Sequence, residues 1–474
     1  MITLMTVVFV IGYILIAMEH KIGINKAATA LILGMTLWVL YMFSGDSIIS
    51  VVNAESFRHF LAGNSDVANM PLAKQCAKFV SDFQIVESLG EHAQIVLYLI
   101  GAMAIVELID VHGGFMCVTE RISTRSKRNL LWILSFITFF MSSILDNLTT
   151  AIVMTMLLRK MVSDRHERWI FAGMIIIAAN SGGAWTPTGD VTTIMLWINE
   201  NVTTSALITK LFLPSLLSML VPLAIISLML GKGDVNYSTD RQESAISAYV
   251  SNKERVAIFC IGVSALISIP IFKAITHLPP FMGVLLVLGI IWVYMEIMYN
   301  RKPDIPISRQ YRLTAIFSRI DLGTILFFMG ILMAVSALQS AGILKEVSTY
   351  LDEEVHNVYV INTIVGMLSS IIDNVPLVAG AMGMYPMPTH EAVALSGEAA
   401  YMANFVQDGI FWQLLAYCAG VGGSILIIGS AAGVVVMGLE KITFAWYCKH
   451  ISLLALLGYF SGIITYVVQN AILG

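Results

Sequence analysis

Two short phrases in this sequence set an aspartate and an asparagine side by side inside long apolar runs. Ser142-Ser143-Ile144-Leu145-Asp146-Asn147-Leu148-Thr149-Thr150-Ala151 is echoed 227 residues later by Ser369-Ser370-Ile371-Ile372-Asp373-Asn374-Val375-Pro376-Leu377-Val378. A carboxylate in hydrocarbon is costly, so an intramembrane acid reads as functional by default. It can hold a hard cation or a proton but not both at once, and that exclusion alone couples the movement of one to the other. Burial raises a carboxylate pKa and a neighbouring cation lowers it, so a site poised near neutrality exchanges H⁺ for Na⁺. The competing reading of Asp146 and Asp373 is a neutral acid hydrogen-bonded in a turn. Asn147 and Asn374 offer an uncharged oxygen beside each acid, or simply cap helices, since Asn is a preferred N-cap. Thr149 and Thr150 add hydroxyls in the first phrase. The second has Pro376 and Leu377 there, so that side is expected to rely on backbone carbonyls.

The elements that must position these residues follow from composition. Of 474 residues, 57% are hydrophobic and 12% charged, with mean hydropathy +0.81, against about 25% charged in soluble domains. The chain therefore reads as an all-α polytopic protein of the lipid bilayer. Its apolar runs are near 20 residues, where barrel strands would alternate over about 10. The net charge of −4 comes without a basic tail and suggests no nucleic-acid partner. Cys76, Cys117, Cys260, Cys418 and Cys448 form no CxxC pair, which points to neither a disulfide framework nor a Cys-ligated metal. The first apolar run lacks a basic flank and a cleavage site and reads as a retained span. No P-loop is present, so the expected engine is an ion gradient and the expected class a transporter without cofactor rather than an enzyme. One charge moved through 100 mV is worth about 2.3 kcal/mol, so two H⁺ for one Na⁺ would export Na⁺ on voltage.

Loop charge orders the spans, since short basic loops stay cytoplasmic. Spans over 3–18 and 27–43 flank Glu19, His20, Lys21 and Lys26, which puts the N-terminus outside. A mixed external segment, 44–93, from Asp46 to Glu91, follows, with room for a surface amphipathic helix. Residues 94–111 cross inward. The stretch 130–158 then lies between two basic loops (Arg121, Arg125, Lys127 and Arg128 before it, Arg159, Lys160, Arg165 and Arg168 after). Two crossings need about 40 residues, so 130–158 is expected to be a re-entrant hairpin turning at Asp146-Asn147. A turn at membrane depth is tolerated only when buried in protein or lining a cavity. The span 169–198 is broken at Asn180–Asp190, and 206–230 returns inward.

After a cytoplasmic linker, 231–255 with Lys232 and Arg241, the plan repeats. Spans 256–272 and 281–298 precede the basic loop 299–321, which includes Arg309; 322–340 crosses outward; a hairpin, 358–385, is flanked by acidic or neutral segments; 410–438 is broken; and 451–468 crosses out. The expected architecture is thus two inverted repeats, 1–230 and 256–474, each of five spans and one re-entrant hairpin, with broken helices at the midplane and the site where the halves meet. Both termini are expected to be periplasmic. Gly101 and Gly113 match Gly330 and Gly342, and Gly182-Gly183 with Gly189 match Gly422-Gly423 with Gly429.

Unwound backbone in such breaks coordinates cations. Gly182, Gly183, Thr186, Pro187, Gly422, Gly423, Ser424 and Ser430 are therefore candidate lining, with close helix packing as the competing reading of the glycines. Asp190 aligns with Ser430 and Glu107 with Ser336, so the first half carries two extra acids. Both are candidate proton-coupling groups beside Asp146 and Asp373, Glu107 alternatively being an interfacial anchor. Asp110 and His112 read as surface residues at the membrane edge. The Asp146 side, richer in polar groups, is the expected centre of exchange.

Together, the SSILDNLTTA phrase, Ala179–Thr193 and Gly422–Gly433 resemble NhaD-type Na⁺/H⁺ antiporters of the superfamily that also holds arsenite exporters and dicarboxylate carriers. The resemblance covers about 94–200 and 322–440. It implies a bacterial inner-membrane exporter of Na⁺ or Li⁺ acting as a homodimer, with a scaffold (here helices 1–43 and 256–298) and a moving elevator domain. On that carry-over Asp146, Asn147, Asp373 and Asn374 line the cation sites. An anion carrier of the same superfamily, for arsenite or a Na⁺-coupled dicarboxylate, is the alternative; acidic hairpin tips disfavour it. An intramembrane aspartyl protease built on Asp146 and Asp373 would need the two acids to share a proton, and the chain lacks a GxGD element.

Overall fold

The computed structural model describes residues 1–43, 48–49, 52–116, 124, 126–230, 233–235, 250–302, 305–306, 310–371 and 373–473. Asp46, Cys117, Arg121, Arg125, Lys232, Arg241, Arg309, Ile372 and most of the 231–255 linker lie outside the described residues. The main helices in chain order are α1 (Ile2–Ala17), α2 (Lys26–Phe43), α3 (Ile85–Val111), α4 (Lys127–Leu145), α5 (Asn147–Met161), α6 (Arg165–Gly183), α7 (Val191–Ile198), α8 (Thr204–Met229), α9 (Asn252–Thr276), α10 (Pro280–Asn300), α11 (Leu322–Ser340), α12 (Val358–Leu368), α13 (Asn374–Met384), α14 (Ile410–Gly422), α15 (Ala431–Glu440) and α16 (Ser452–Leu473). Among the described residues no strand forms, only an isolated bridge between Ser126 and Asp234. Among the described residues eight helices are long and apolar enough to cross a membrane, so the chain is a polytopic all-α membrane protein.

Each expected break is a real helix end. The 169–198 span is α6 and α7, and the 410–438 span is α14 and α15, with turns between. The first arm of the 130–158 stretch is longer than its apolar run, because Lys127, Arg128 and Asn129 join the helix. At 19 residues and about 1.5 Å per residue it spans about 28 Å, close to a hydrocarbon core of about 30 Å. The 44–93 segment holds helices Ala54–Gly63, Ser65–Ala68 and Leu72–Phe79, and a π-helical turn, Val80–Gln84, leads into α3. Phe57 and Phe60 meet Phe79 at ring-centroid distances of 5.3 and 5.5 Å, which gives the Ala54–Gly63 helix an apolar face.

Two compact units draw on both halves of the sequence. The first holds Met1–Leu97, Asp321–Asn357 and Val375–Pro386. Its centre is the crossing of α2 and α11, where a side chain on Gly34 would meet the Gly330 carbonyl oxygen at 2.5 Å. Trp38 Nε1 donates to the Met333 carbonyl across the same contact, at 2.9 Å.

The second unit holds Tyr98–Ile320, Val358–Asn374 and Met387–Gly474. In it α4 packs on α6 and α12 on α14, while α8 packs on α16. The first two contacts use the same devices. A Cβ on Gly182 would run into the Phe139 carbonyl, and one on Gly422 into the Gly366 carbonyl. Ser142 Oγ donates to Ala179 O at 2.5 Å, and Ser369 Oγ to Ala419 O at 2.8 Å. A methyl group has no room at either glycine. Gly422→Ala is therefore expected to cost about 1–3 kcal/mol of stability, seen as a lower Tm of the purified protein in detergent. An unchanged Tm would contradict the backbone contact.

Candidate ion-binding site

Asp146 is the hinge between α4 and α5. Its φ of 98° is a strained backbone state for a residue with a side chain. Its carboxylate holds the turn, accepting from Thr149 N at 2.7 Å and Thr149 Oγ1 at 2.8 Å, as an N-cap of α5. The next residue, Asn147, is 6% exposed and points its amide at the first broken helix. Asn147 Nδ2 donates to Asn180 Oδ1 at 3.0 Å and to Asp190 Oδ2 at 2.8 Å.

Asp190 is where the site converges. It is 1% exposed and is the N-cap of α7, accepting from Thr192 N at 3.1 Å within a capping box closed by Thr193. The positive end of a helix dipole favours an anion there. Asn374, which follows Asp373 at the start of α13, sends its Nδ2 to both Asp190 oxygens at 3.4 Å. The asparagines of both repeated phrases therefore bind one acid. Asp146 and Asp373 each lie within electrostatic reach of it.

Asn180, fully buried in α6, joins this cluster to the second broken helix. Its Nδ2 donates to Ser424 Oγ at 2.9 Å and Ser430 Oγ at 3.0 Å. Ser430 is the N-cap of α15, as Asp190 is of α7. In the first break Thr186 and Thr188 hydroxyls donate to the Ser143 carbonyl, at 2.6 and 3.2 Å, tying the break to the end of α4.

The structure thus brings Asp146, Asn147, Thr149, Asp190, Asn374, Ser424 and Ser430 into one connected neighbourhood. Thr150 is buried on α5 with a hydroxyl oxygen lacking a partner. Gly182 and Gly422 sit at the helix contacts described above, and Gly183 backs onto the Gly189 carbonyl. Gly423 lies 3.0 Å, measured from a built Cβ, from the Gly429 carbonyl, and Pro187 is buried in the first break. Glu107 belongs elsewhere: it takes a hydrogen bond from Arg319 at the end of α3. His112 is buried rather than at the surface. Its Nδ1 donates to Leu108 O at 2.8 Å, so Nε2 accepts from the Tyr299 hydroxyl at 2.6 Å.

Among the described residues, the side chains bonded to Asp146 and Asp190 are hydroxyls and amides, with no lysine or arginine. Among the described residues no group of three His, Cys, Asp or Glu side chains is placed to hold a metal ion. The chemistry on offer is a buried carboxyl group ringed by hydroxyl and amide groups, which suits a proton or a weakly held monovalent cation.

Comparison with known proteins gives one family. The model described as citrate transporter matches residues 13–406. The chain is 41% identical to sodium/proton antiporter 2 of Arabidopsis thaliana, over 98% of each protein. It is 41% identical to sodium/proton antiporter 1 of the same plant, over 98% of this chain and 71% of that protein. It is 28% identical to the Na⁺/H⁺ antiporter NhaD of Alkalimonas amylolytica, over 98% of this chain and 90% of that protein.

Proposed function

The chain belongs to the citrate-transporter family, and from that premise we propose that it is a secondary transporter exchanging Na⁺ or Li⁺ for H⁺. The observation that carries this reading is Asp190, a buried acid bonded by both hairpin asparagines. A citrate or other polyanion site would need cationic side chains, and hydroxyls and amides surround the acids instead. Relatives named as sodium/proton antiporters, matched over 98% and 90% of their own lengths, support the same choice.

An amide presents hydrogen on one side and oxygen on the other in nearly the same volume. In the arrangement described, Asn147 and Asn374 turn hydrogens to Asp190. Turning both amides over would present their oxygens, and with the Asp190 carboxylate these form a ligand set for a dehydrated Na⁺. The Asn147 turn obliges Asn180 to turn as well, because two amide oxygens would otherwise meet. The Ser424 and Ser430 hydroxyls can then donate where they had accepted. Cation entry is thereby linked to hydrogen-bond reversal across both broken helices. In the Na⁺-free state the Asp190 carboxyl carries the proton, and as Na⁺ binds its carboxylate that proton passes to Asp146 or Asp373. Thr149, Thr150, Thr186, Pro187, Gly182, Gly183, Gly422 and Gly423 frame this site in the proposal.

Loop charge and the resemblance to NhaD-type antiporters support the following arrangement. The repeats are inverted, access alternates by an elevator-like motion, and the protein works as a homodimer in a bacterial inner membrane with both termini outside. In proteoliposomes, Na⁺ is expected to dissipate a preformed ΔpH. Asp146→Asn and Asp373→Asn are each expected to slow this by about tenfold or more, the scale on which groups flanking an ion site act. Parallel runs with Li⁺, K⁺, Ca²⁺ and citrate separate the readings. Citrate flux without Na⁺/H⁺ exchange would overturn the antiporter.

A further inference from the structure

Glu440 is a carboxylate that the ion site does not use, yet it is 2% exposed. It is the last residue of α15. Arg159, near the C-terminus of α5, donates from Nε to Glu440 Oε1 at 2.7 Å, and Arg168, near the start of α6, donates from Nε to Oε2 at 2.9 Å. The backbone is gripped at the same place. Arg159 donates to Leu439 O, and Trp169 Nε1 donates to Glu440 O at 3.0 Å. Charge-assisted bonds of this kind are the strong ones, and removing one partner of a buried pair leaves an uncompensated charge.

The spacing gives the clasp its meaning. Arg159 lies twelve residues beyond Asn147 on α5, and Arg168 lies twelve residues before Asn180 on α6, each about 18 Å at 1.5 Å per residue. These antiparallel helices are therefore bonded to each other at both ends, directly through Asn147 and Asn180 and remotely through Glu440. The third helix, α15, takes a hydrogen bond from Asn180 at its N-cap Ser430 and ends in Glu440. The three helices pack pairwise. At the matching place on the other broken helix, Glu200 is 67% exposed and 3.9 Å from Lys273. The joint there is built instead on Asp408, which accepts from Thr203 N and Oγ1 at 2.6 and 2.8 Å.

We infer that Glu440, with Arg159, positions the ion site from the far end of the bundle by fixing how α5 lies along α6. A slide of α5 by one residue rise, about 1.5 Å, would stretch or misalign the Asn147–Asp190 bond, 2.8 Å as it stands. The inference rests on the exchange proposed above and on the role given there to Asn147.

The test is Na⁺-driven proton flux by reconstituted wild type, Arg159→Gln, Arg159→Lys and Glu440→Gln. Arg159→Gln and Glu440→Gln are each expected to raise the half-saturating Na⁺ concentration about fivefold, as remote couplings through rigid elements do, with maximal rate little changed. Arg159→Lys keeps the charge on Glu440 and is expected to hold the wild-type value. A purely structural clasp would lower Tm and leave half-saturation alone, and that result would overturn the inference. Should Glu440→Gln fail to fold, Arg159→Gln decides, since the Arg159 side chain is 40% exposed and leaves no buried group of its own behind. A wild type inert to Na⁺ would instead count against the antiporter reading.

Discussion

Asp190→Asn is expected to give a folded protein that no longer exchanges Na⁺ for H⁺. The substitution is nearly isosteric, and Asn caps a helix about as well as Asp, so the bond from Thr192 N that starts α7 has an oxygen to go to. What disappears is the charge and one acceptor. Asn147 and Asn374 both point hydrogens at the acid, and an amide in its place would oppose at least one of them with hydrogens of its own. It would also offer no proton acceptor and no anionic ligand. The expected loss in Na⁺-dependent ΔpH dissipation is about a hundredfold or more, equivalent to about 2.8 kcal/mol at 1.4 kcal/mol per tenfold. The Tm is expected to stay near that of wild type. Exchange at the wild-type rate would remove Asp190 from the mechanism and return coupling to Asp146 and Asp373.

The expectation for Asp190 shows what was legible in the chain. The apolar runs, the breaks at Asn180–Asp190 and Gly422–Ser430, and the turn at Asp146 could be located because each sets a polar or flexible residue against hydrocarbon, where such residues are costly. Asp146 stood out first because its neighbours along the chain are polar. That both asparagines close on Asp190 depends on packing among α5, α6 and the start of α13, which no local pattern records. Asn180 lay inside the break yet drew no role, since its partner in the repeat is Gly420 and symmetry gave no second instance. Glu440 sits beside Lys441 at the end of a span, and a charge count reads such a residue as loop. Its burial comes from arginines 272 and 281 residues away in sequence. His112 misled for the same reason: Tyr299, which buries it, lies 187 residues on.

Asn180 therefore carries the second large expectation. Among the described residues it is the one side chain bonded both to the cluster around Asp190 and to the cap of the second broken helix. Its oxygen accepts from Asn147 at 3.0 Å and its nitrogen serves Ser424 and Ser430. Asn180→Leu keeps the volume and removes all three bonds. The two serine hydroxyls can rotate to other acceptors, and Asn147 keeps Asp190, so the stability cost is expected near 1–3 kcal/mol rather than the loss of the fold. Exchange is expected to suffer more. Without Asn180 the Asn147 amide can turn alone, and reversal no longer reaches α15. Na⁺/H⁺ exchange should then fall by about a hundredfold, or about 2.8 kcal/mol, with Ser424→Ala and Ser430→Ala each well short of that because either leaves Asn180 one acceptor. The measurements are flux and Tm on the same preparations. If Asn180→Leu lowers Tm yet exchanges at nearly the wild-type rate, Asn180 is a brace between helices, and hydrogen-bond reversal is not how the two broken helices communicate.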